Sequence, residues 1–161
     1  MGCGPGQITK FLFDAGVKDI TGIDISPGMV DVARKISPYI NFETGDLLAL
    51  PYNAGYFSSA VAFYAIVHFD YDQIAKAFKE VNRVLNDGAH FLFSFHVGEE
   101  TVHFDKANDI DVDIDLYFHE TNRILKLLNA NKFRIVDAVE RLPYPDVEYA
   151  TKRAYVWAEK V

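Results

Sequence analysis

One cysteine, Cys3, stands among 161 residues, so no intrachain disulfide can form. A lone thiol fits a reducing compartment, and a cytoplasmic protein is expected. Long apolar runs are missing too. No stretch approaches the roughly 20 residues that cross a bilayer, so no membrane partner is expected. The Gly-Pro-Gly cluster at positions 4–6 stands where a leader would need a charged segment and an apolar core, so no leader is expected. Positive charge is also scarce and scattered: 16 basic residues face 23 acidic ones, a formal net charge of -7. Without a basic stripe there is no electrostatic footprint for a phosphate backbone, which disfavours nucleic acid as substrate or partner. Repeats and low-complexity tracts are absent. What is present is ordinary for a folded domain: half the residues are hydrophobic and about a quarter charged. The length suits a single domain, 1–161, with self-association as a homo-oligomer left open.

Helix-period and strand-type segments alternate along the chain. Gln7 to Ala15 places Ile8, Phe11, Leu12 and Ala15 at helical spacing, and Gly16 stands where a C-terminal cap would be. Ile20 to Ile25 reads as a short strand. Ser26-Pro27 then opens a helix that Pro38 ends. Ile40 to Thr44 and the apolar run Phe57 to Tyr64 read as strands, the latter covered on both faces. Tyr71 to Leu85 has helical spacing, Asn86-Asp87-Gly88 reads as a turn, and Ala89 to Phe95 as a buried strand. This alternation predicts an α/β fold with a parallel sheet flanked by helices. The last third differs. Asp109 to Leu116 alternates strictly, as an edge strand with one wet face does. His119 to Leu128 reads as a helix, and Phe133 to Leu142 and Arg153 to Lys160 as two final strands.

Three strand ends carry groups suited to one ligand. Gly2-Cys3-Gly4-Pro5-Gly6 precedes a helix, where a backbone without side chains can turn tightly beneath a ligand and the helix N-terminus favours an anion. Asp24 ends the next strand, the relation a ribose-binding acid has to a glycine loop, and Ile25 offers an apolar surface to a base. Gly45-Asp46-Leu47 follows the strand after that. Each taken alone could be a turn or a cap; three in succession point to a ligand at the carboxyl ends of the strands. A dinucleotide fingerprint would need glycine at position 7, which is Gln7, and no lysine follows in a phosphate-loop pattern. Hydride transfer with a nicotinamide cofactor is therefore the lesser alternative.

These motifs, with Thr21-Gly22-Ile23-Asp24-Ile25-Ser26-Pro27 and Arg83-Val84-Leu85-Asn86-Asp87-Gly88-Ala89, resemble the class I S-adenosylmethionine-dependent methyltransferases. The resemblance runs through nearly the whole chain in order and weakens after about Phe95. It implies a Rossmann-like, mostly parallel sheet with helices on both faces and a C-terminal antiparallel hairpin. It also implies S-adenosyl-L-methionine as cofactor and methyl transfer to a small-molecule acceptor. By that resemblance Gly2, Cys3, Gly4 and Gly6 line the methionine moiety and Asp24 holds the ribose, with Ile25 beside it. Asp46 and Leu47 would hold the adenine, and Ala62 and Phe63 would contact the methionine end. A non-catalytic domain that keeps the fold and binds cofactor or a partner is the other reading. Alignment of the acceptor with the methyl group supplies most of the rate, about 7–11 kcal/mol where orientation is good. A base is needed only for a protonated acceptor; Tyr64, His68 and His96 are the candidates. No metal is expected, because His96, Glu99, Glu100 and His103 lack a ligand spacing and the aspartates from Asp109 lack that of a calcium loop.

Two departures stand out. The family commonly has an acid after Phe57, where this chain has Ser58. A central strand is also implied ahead of the glycine loop, between Ile20–Ile25 and Phe57–Tyr64, yet Gly2 follows Met1 directly. The expectation is thus a sheet without its first strand, a chain incomplete at its N-terminus, and a gap of about 10 Å between two strands.

Overall fold

The computed structural model describes residues 1–107 and 110–161. Helix α1 (Gln7–Asp14) leads to strand β1 (Thr21–Asp24), helix α2 (Pro27–Ile36) and strand β2 (Asn41–Thr44). Strand β3 (Phe57–Phe63) is followed by a 3-10 turn at Ile66–His68, helix α3 (Tyr71–Val84) and strand β4 (Leu85–His96). Strands β5 (Thr101–Ala107) and β6 (Ile110–Tyr117), helix α4 (Thr121–Ala130), and strands β7 (Phe133–Arg141) and β8 (Arg153–Lys160) complete the chain.

Local chemistry explains most boundaries. The Ser26 hydroxyl accepts from the Met29 N–H at 3.3 Å, with Pro27 in the first turn of α2. Asp70 and Gln73 form a reciprocal capping box at the start of α3. The Asn86-Asp87-Gly88 segment is not a turn between elements. It is an exposed irregularity inside β4, with Gly88 at φ 75° and a register shift opposite Phe57 to Ser59. Strand β5 was not expected; it pairs antiparallel with β6, the alternating segment, whose Asp109 lies outside the described residues.

Two sheets carry the core. Strands β1 and β2 are parallel, and a second sheet has the order β3-β4-β8-β7, parallel at β3–β4 and antiparallel thereafter. Phe91, Phe93 and Phe95 alternate along β4 and are wholly buried with Phe78 of α3; Ile124 and Leu128 of α4 and Phe133 of β7 join them. A smaller cluster, Val30, Ala33, Ile40 and Phe42, joins α2 to β1 and β2.

Between β1 and β3 lies a groove of about 370 Å³, lined by Ile8 and Leu12 of α1, Ile23 of β1, and Ala60 and Val61 of β3. It occupies the position where the sequence reading expected an unfilled strand. Only the first residues cross it: the Met1 nitrogen donates to the Val61 carbonyl at 2.7 Å, and the Cys3 N–H to the Ile23 carbonyl at 3.0 Å. The edge of β3 that faces the groove pairs with no strand among the described residues. Accordingly β3 is not covered on both faces as expected, and Ser58 and Ser59 are exposed.

Candidate active site

Because β1, β2, β3 and β4 are grouped in parallel pairs, their carboxyl ends present Asp24, Gly45-Asp46, Tyr64 and His96 after successive strands. The glycine loop takes left-handed backbone at each of its glycines, with φ 61° at Gly2, 52° at Gly4 and 86° at Gly6. The three glycines differ in what surrounds them. A Cβ on Gly2 would stand 2.6 Å from the Ala65 methyl group, and one on Gly6 would stand 2.8 Å from the Phe42 ring. A Cβ on Gly4 would meet nothing within 4 Å. Gly2 and Gly6 therefore press the loop against the fold, while Gly4 turns a bare backbone toward open space.

Asp24 fastens that loop to β1. One carboxylate oxygen accepts from the Gly4 N–H at 2.7 Å and the other from the Ser26 N–H at 3.0 Å. Each oxygen keeps a second lone pair, so the carboxylate can still accept from a diol. Ile25 beside it is 68 % exposed. Asp46 uses one oxygen to accept from the Leu48 N–H at 2.8 Å, and the other makes no hydrogen bond among the described residues. The Leu47 side chain is buried in the core, so only its backbone could serve a ligand.

Some expected residues contribute differently. The Cys3 side chain packs toward Gly22 and the smaller cluster, and burial pushes its thiol up to about 11. Its backbone N–H and C=O are both committed, to Ile23 and Gly6, so Cys3 shapes the loop. Ala62 is fully buried, whereas Phe63 is half-buried with its ring edge on Tyr155, centroids 6.3 Å apart.

Beyond β3 and β4 lies a second group of polar and aromatic side chains. Tyr64 holds φ 54°, a left-handed conformation uncommon for a bulky residue, fixed where its N–H donates to the Ser94 carbonyl at 3.1 Å. Its hydroxyl lies 3.2 Å from that of Tyr155, whose oxygen accepts from Arg141 at 2.9 Å. Arg141 forks onto both oxygens of Glu148 at 2.7 Å each, and the buried Arg153 lies 3.4 Å from the same carboxylate. Arg141 chiefly, then the Tyr144 N–H, hold Glu148 down to about 2. Burial first, then the Tyr155 hydroxyl, raise Tyr64 to about 12.

His96 stacks on Tyr64 with ring centroids 5.0 Å apart, and Phe118 and Tyr149 flank it at 5.5 and 6.2 Å. Its Nδ1 is 2.7 Å from the Thr151 hydroxyl. Burial, reinforced by Arg153, lowers its pKa from 6.5, leaving the ring neutral at pH 7. His68, the third candidate base, is exposed at the end of the 3-10 turn and makes no hydrogen bond among the described residues. Among the described residues no three His, Cys, Asp or Glu side chains gather as a metal site. The sequence reading missed Arg141, Glu148, Thr151 and Tyr155. Their only signal was the density of charged and aromatic residues around Pro143-Tyr144-Pro145.

A glycine loop, an acid at the end of β1 and a second acid just after β2, on a parallel α/β frame, define a class of nucleoside-cofactor folds. Comparison with known proteins specifies the class. A family model described as a methyltransferase domain matches residues 1–88. An uncharacterized methyltransferase of Oceanobacillus iheyensis is 33 % identical over 92 residues, 57 % of this chain and 43 % of its own. The malonyl-[acyl-carrier protein] O-methyltransferase of Serratia marcescens is 26 % identical over 153 residues, covering 91 % of this chain and 57 % of its own. A crystal structure of a SAM-dependent methyltransferase from Methanosarcina mazei superposes with a TM-score of 0.88 over 99 % of this chain and 90 % of that one. At 18 % identity that likeness speaks for the fold alone. The chain spans about half the length of the curated relatives it matches. It belongs to the methyltransferase-domain family, within the class I S-adenosylmethionine-dependent methyltransferases, and the cofactor of the family is S-adenosylmethionine. That membership sets the nicotinamide alternative aside.

Proposed function

We propose that this chain binds S-adenosylmethionine along the carboxyl ends of β1 and β2 and transfers its methyl group to a small-molecule acceptor. The observation that carries this reading is the bare Gly4 backbone, open to space on one side and tied by its N–H to Asp24. The cofactor supplies a methyl group made electrophilic by a positively charged sulfur. The chain's own residues bind and orient. Gly2, Gly4 and Gly6 cradle the methionine end, and the two spare lone pairs of Asp24 take the ribose hydroxyls. Ile25 lies against the adenine face, while the unpartnered oxygen of Asp46 and the backbone of Leu47 meet the adenine edge. Phe63 bounds the methionine end; Ala62 and Cys3 act through the backbone. The net charge of -7 supports a small acceptor over nucleic acid, and the lone Cys3 supports a cytoplasmic setting.

Calorimetric titration with S-adenosylhomocysteine tests the reading, with Asp24→Asn as its control. A hydrogen bond to a charged group is worth about 1.5–3 kcal/mol, so the substitution should weaken binding about 10- to 100-fold. No binding to the parent chain, or equal binding to both, would overturn the assignment of this loop. Binding without methyl transfer to any acceptor would favour a domain that keeps the cofactor and not the reaction.

A further inference from the structure

We propose that the Tyr64–His96 stack is the acceptor site, and that it takes a planar hydroxyl compound, a phenol or enol, for O-methylation. The Tyr64–Tyr155 pair donates a hydrogen bond to the reacting oxygen and His96 receives its proton. This rests on the reading that the cofactor lies over the glycine loop.

Position is the first argument. Tyr64 precedes Ala65, the residue against which Gly2 is pressed, so the stack lies beside the first glycine of the loop. The left-handed backbone of Tyr64 is the second. Such a conformation persists in a bulky side chain only where the surroundings over-determine it, and functional sites are where it concentrates.

Counting protons gives the third argument. Arg141 can only donate, so the Tyr155 oxygen is an acceptor toward it. Of the two phenolic protons in the Tyr64–Tyr155 pair, one spans the 3.2 Å between the oxygens. The other has no acceptor among the described residues. The pair therefore offers one oriented donor, backed by a guanidinium whose own charge is matched by Glu148. Arg141 and Arg153 share one carboxylate, Glu148, so one positive charge at this edge is unmatched among the described residues. But Arg141 forks onto Glu148, and the buried Arg153 donates to the Tyr149 and Thr151 carbonyls, so neither presents a free fork to a carboxylate acceptor. A neutral hydroxyl on which charge develops during reaction fits this arrangement better.

His96 completes the set. In the tautomer whose Nδ1–H donates to the Thr151 hydroxyl, the Nε2 lone pair is left to act as a base, and burial with the Arg153 charge lowers the ring's pKa despite the opposing pull of Glu148. The buried Phe118, tilted 46° to the His96 ring, holds that ring in place, and the half-exposed Tyr149, edge-on to it, offers an aromatic surface beside it for a planar acceptor. In the transfer the acceptor oxygen forms its bond to the methyl carbon. The carbon–sulfur electron pair stays on sulfur, and the hydroxyl proton passes to His96, so atoms and charge balance.

The probes are 2-naphthol and its methyl ether, 2-methoxynaphthalene, titrated by fluorescence onto protein loaded with S-adenosylhomocysteine. The expected result is 2-naphthol binding at least 10-fold tighter than the ether. His96→Phe should reduce that preference to below 3-fold, and the double variant Tyr64→Phe with Tyr155→Phe should weaken both probes alike, each leaving S-adenosylhomocysteine affinity within 2-fold. Nitrogen NMR of the free protein should show His96 protonated at Nδ1, and Thr151→Val should shift the tautomer mixture toward Nε2. Absence of naphthol binding, equal affinity for the two probes, a preference that survives His96→Phe, or probe affinities unchanged by loss of both tyrosine hydroxyls would overturn the proposal. If S-adenosylhomocysteine itself does not bind, the cofactor reading fails separately, and the naphthol preference is then read on the unloaded protein.

Discussion

The β1–β2 region and the four-stranded sheet draw on the same kinds of residue but pack to different depths. Along β4, every second side chain is a phenylalanine held between α3 and the neighbouring strands, and Phe91, Phe93 and Phe95 are almost completely shielded. Helix α1 is just as clearly amphipathic, yet Ile8 is 44 % exposed where it lines the groove between β1 and β3, and Phe11, outside the groove's lining, is 68 % exposed. Apolar periodicity thus marks the face a segment can bury, and the partner decides how much it does bury. The site straddles the two regions, with the cofactor loop on the thin one and the Tyr64–His96 stack on the dense one.

The largest expected effect tests this contrast directly. Phe93→Ala empties a fully buried position beside Phe78, Phe91 and Phe95 and should cost about 3–5 kcal/mol by urea denaturation. Phe11→Ala on the exposed face of α1 should stay within about 0.5 kcal/mol. Comparable losses at the two positions would show that α1 is covered in solution and would erase the difference.

A mid-sized effect separates the loop's structural glycines from its open one. Gly6→Ala meets both a left-handed φ of 86° and the Phe42 ring at 2.8 Å. Overpacking of that kind costs about 1–3 kcal/mol, added to about 1–2 kcal/mol for the backbone. Gly4→Ala carries the backbone cost alone, since its Cβ would meet nothing within 4 Å. Its methyl group instead enters the space assigned to the cofactor. Denaturation should therefore rank Gly6→Ala as the more harmful, while calorimetry with S-adenosylhomocysteine should show Gly4→Ala losing affinity beyond what its stability explains. The same ranking in both measurements would mean that Gly4 does not face the ligand.

The readable and unreadable parts of the sequence follow the same division. The glycine loop, Asp24 and Gly45-Asp46 are legible because each is a short signal at a strand end, and the parallel pairing of β1 with β2 and of β3 with β4 accords with the alternation of strands and helices. The Arg141–Glu148 fork is legible only in part, being close in sequence but set in a loop without periodicity. Its link to Tyr155 and then Tyr64 spans 91 residues between the two tyrosines and leaves no local trace. Burial direction was also hidden. Ala62 and Cys3 sit beside positions proposed to face the cofactor, yet strand alternation turns the first inward and the positive-φ glycines on either side turn the second toward Gly22. Strand β5 escaped because His96 to His103 mixes charge and polarity like a loop; its pairing with β6 supplies the order.

The smallest effect concerns pH and again sets a buried position against an exposed one. His119 is buried, its Nε2 lies 3.2 Å from the Ile66 carbonyl, and its Nδ1 has no partner. Burial lowers its pKa from 6.5, against the opposing hydrogen bond to Ile66. The folded state then binds fewer protons than the unfolded one below pH 6.5. The stabilisation is complete above that value and is lost as pH falls toward the folded pKa. His96 titrates in the same direction. His103, exposed on the hairpin and paired with Asp115 at 3.0 Å, is shifted upward. Its contribution is complete below pH 6.5 and fades as pH rises through the folded value, and solvent screening keeps it small. Urea midpoints recorded from pH 5 to 8 should therefore fall on the acid side. His119→Asn should flatten that slope whatever it does to the absolute level, leaving the part due to His96, whereas His103→Asn should leave the acid-side slope intact. An acid-side slope unchanged by His119→Asn would mean that the ring is already hydrated in the folded protein.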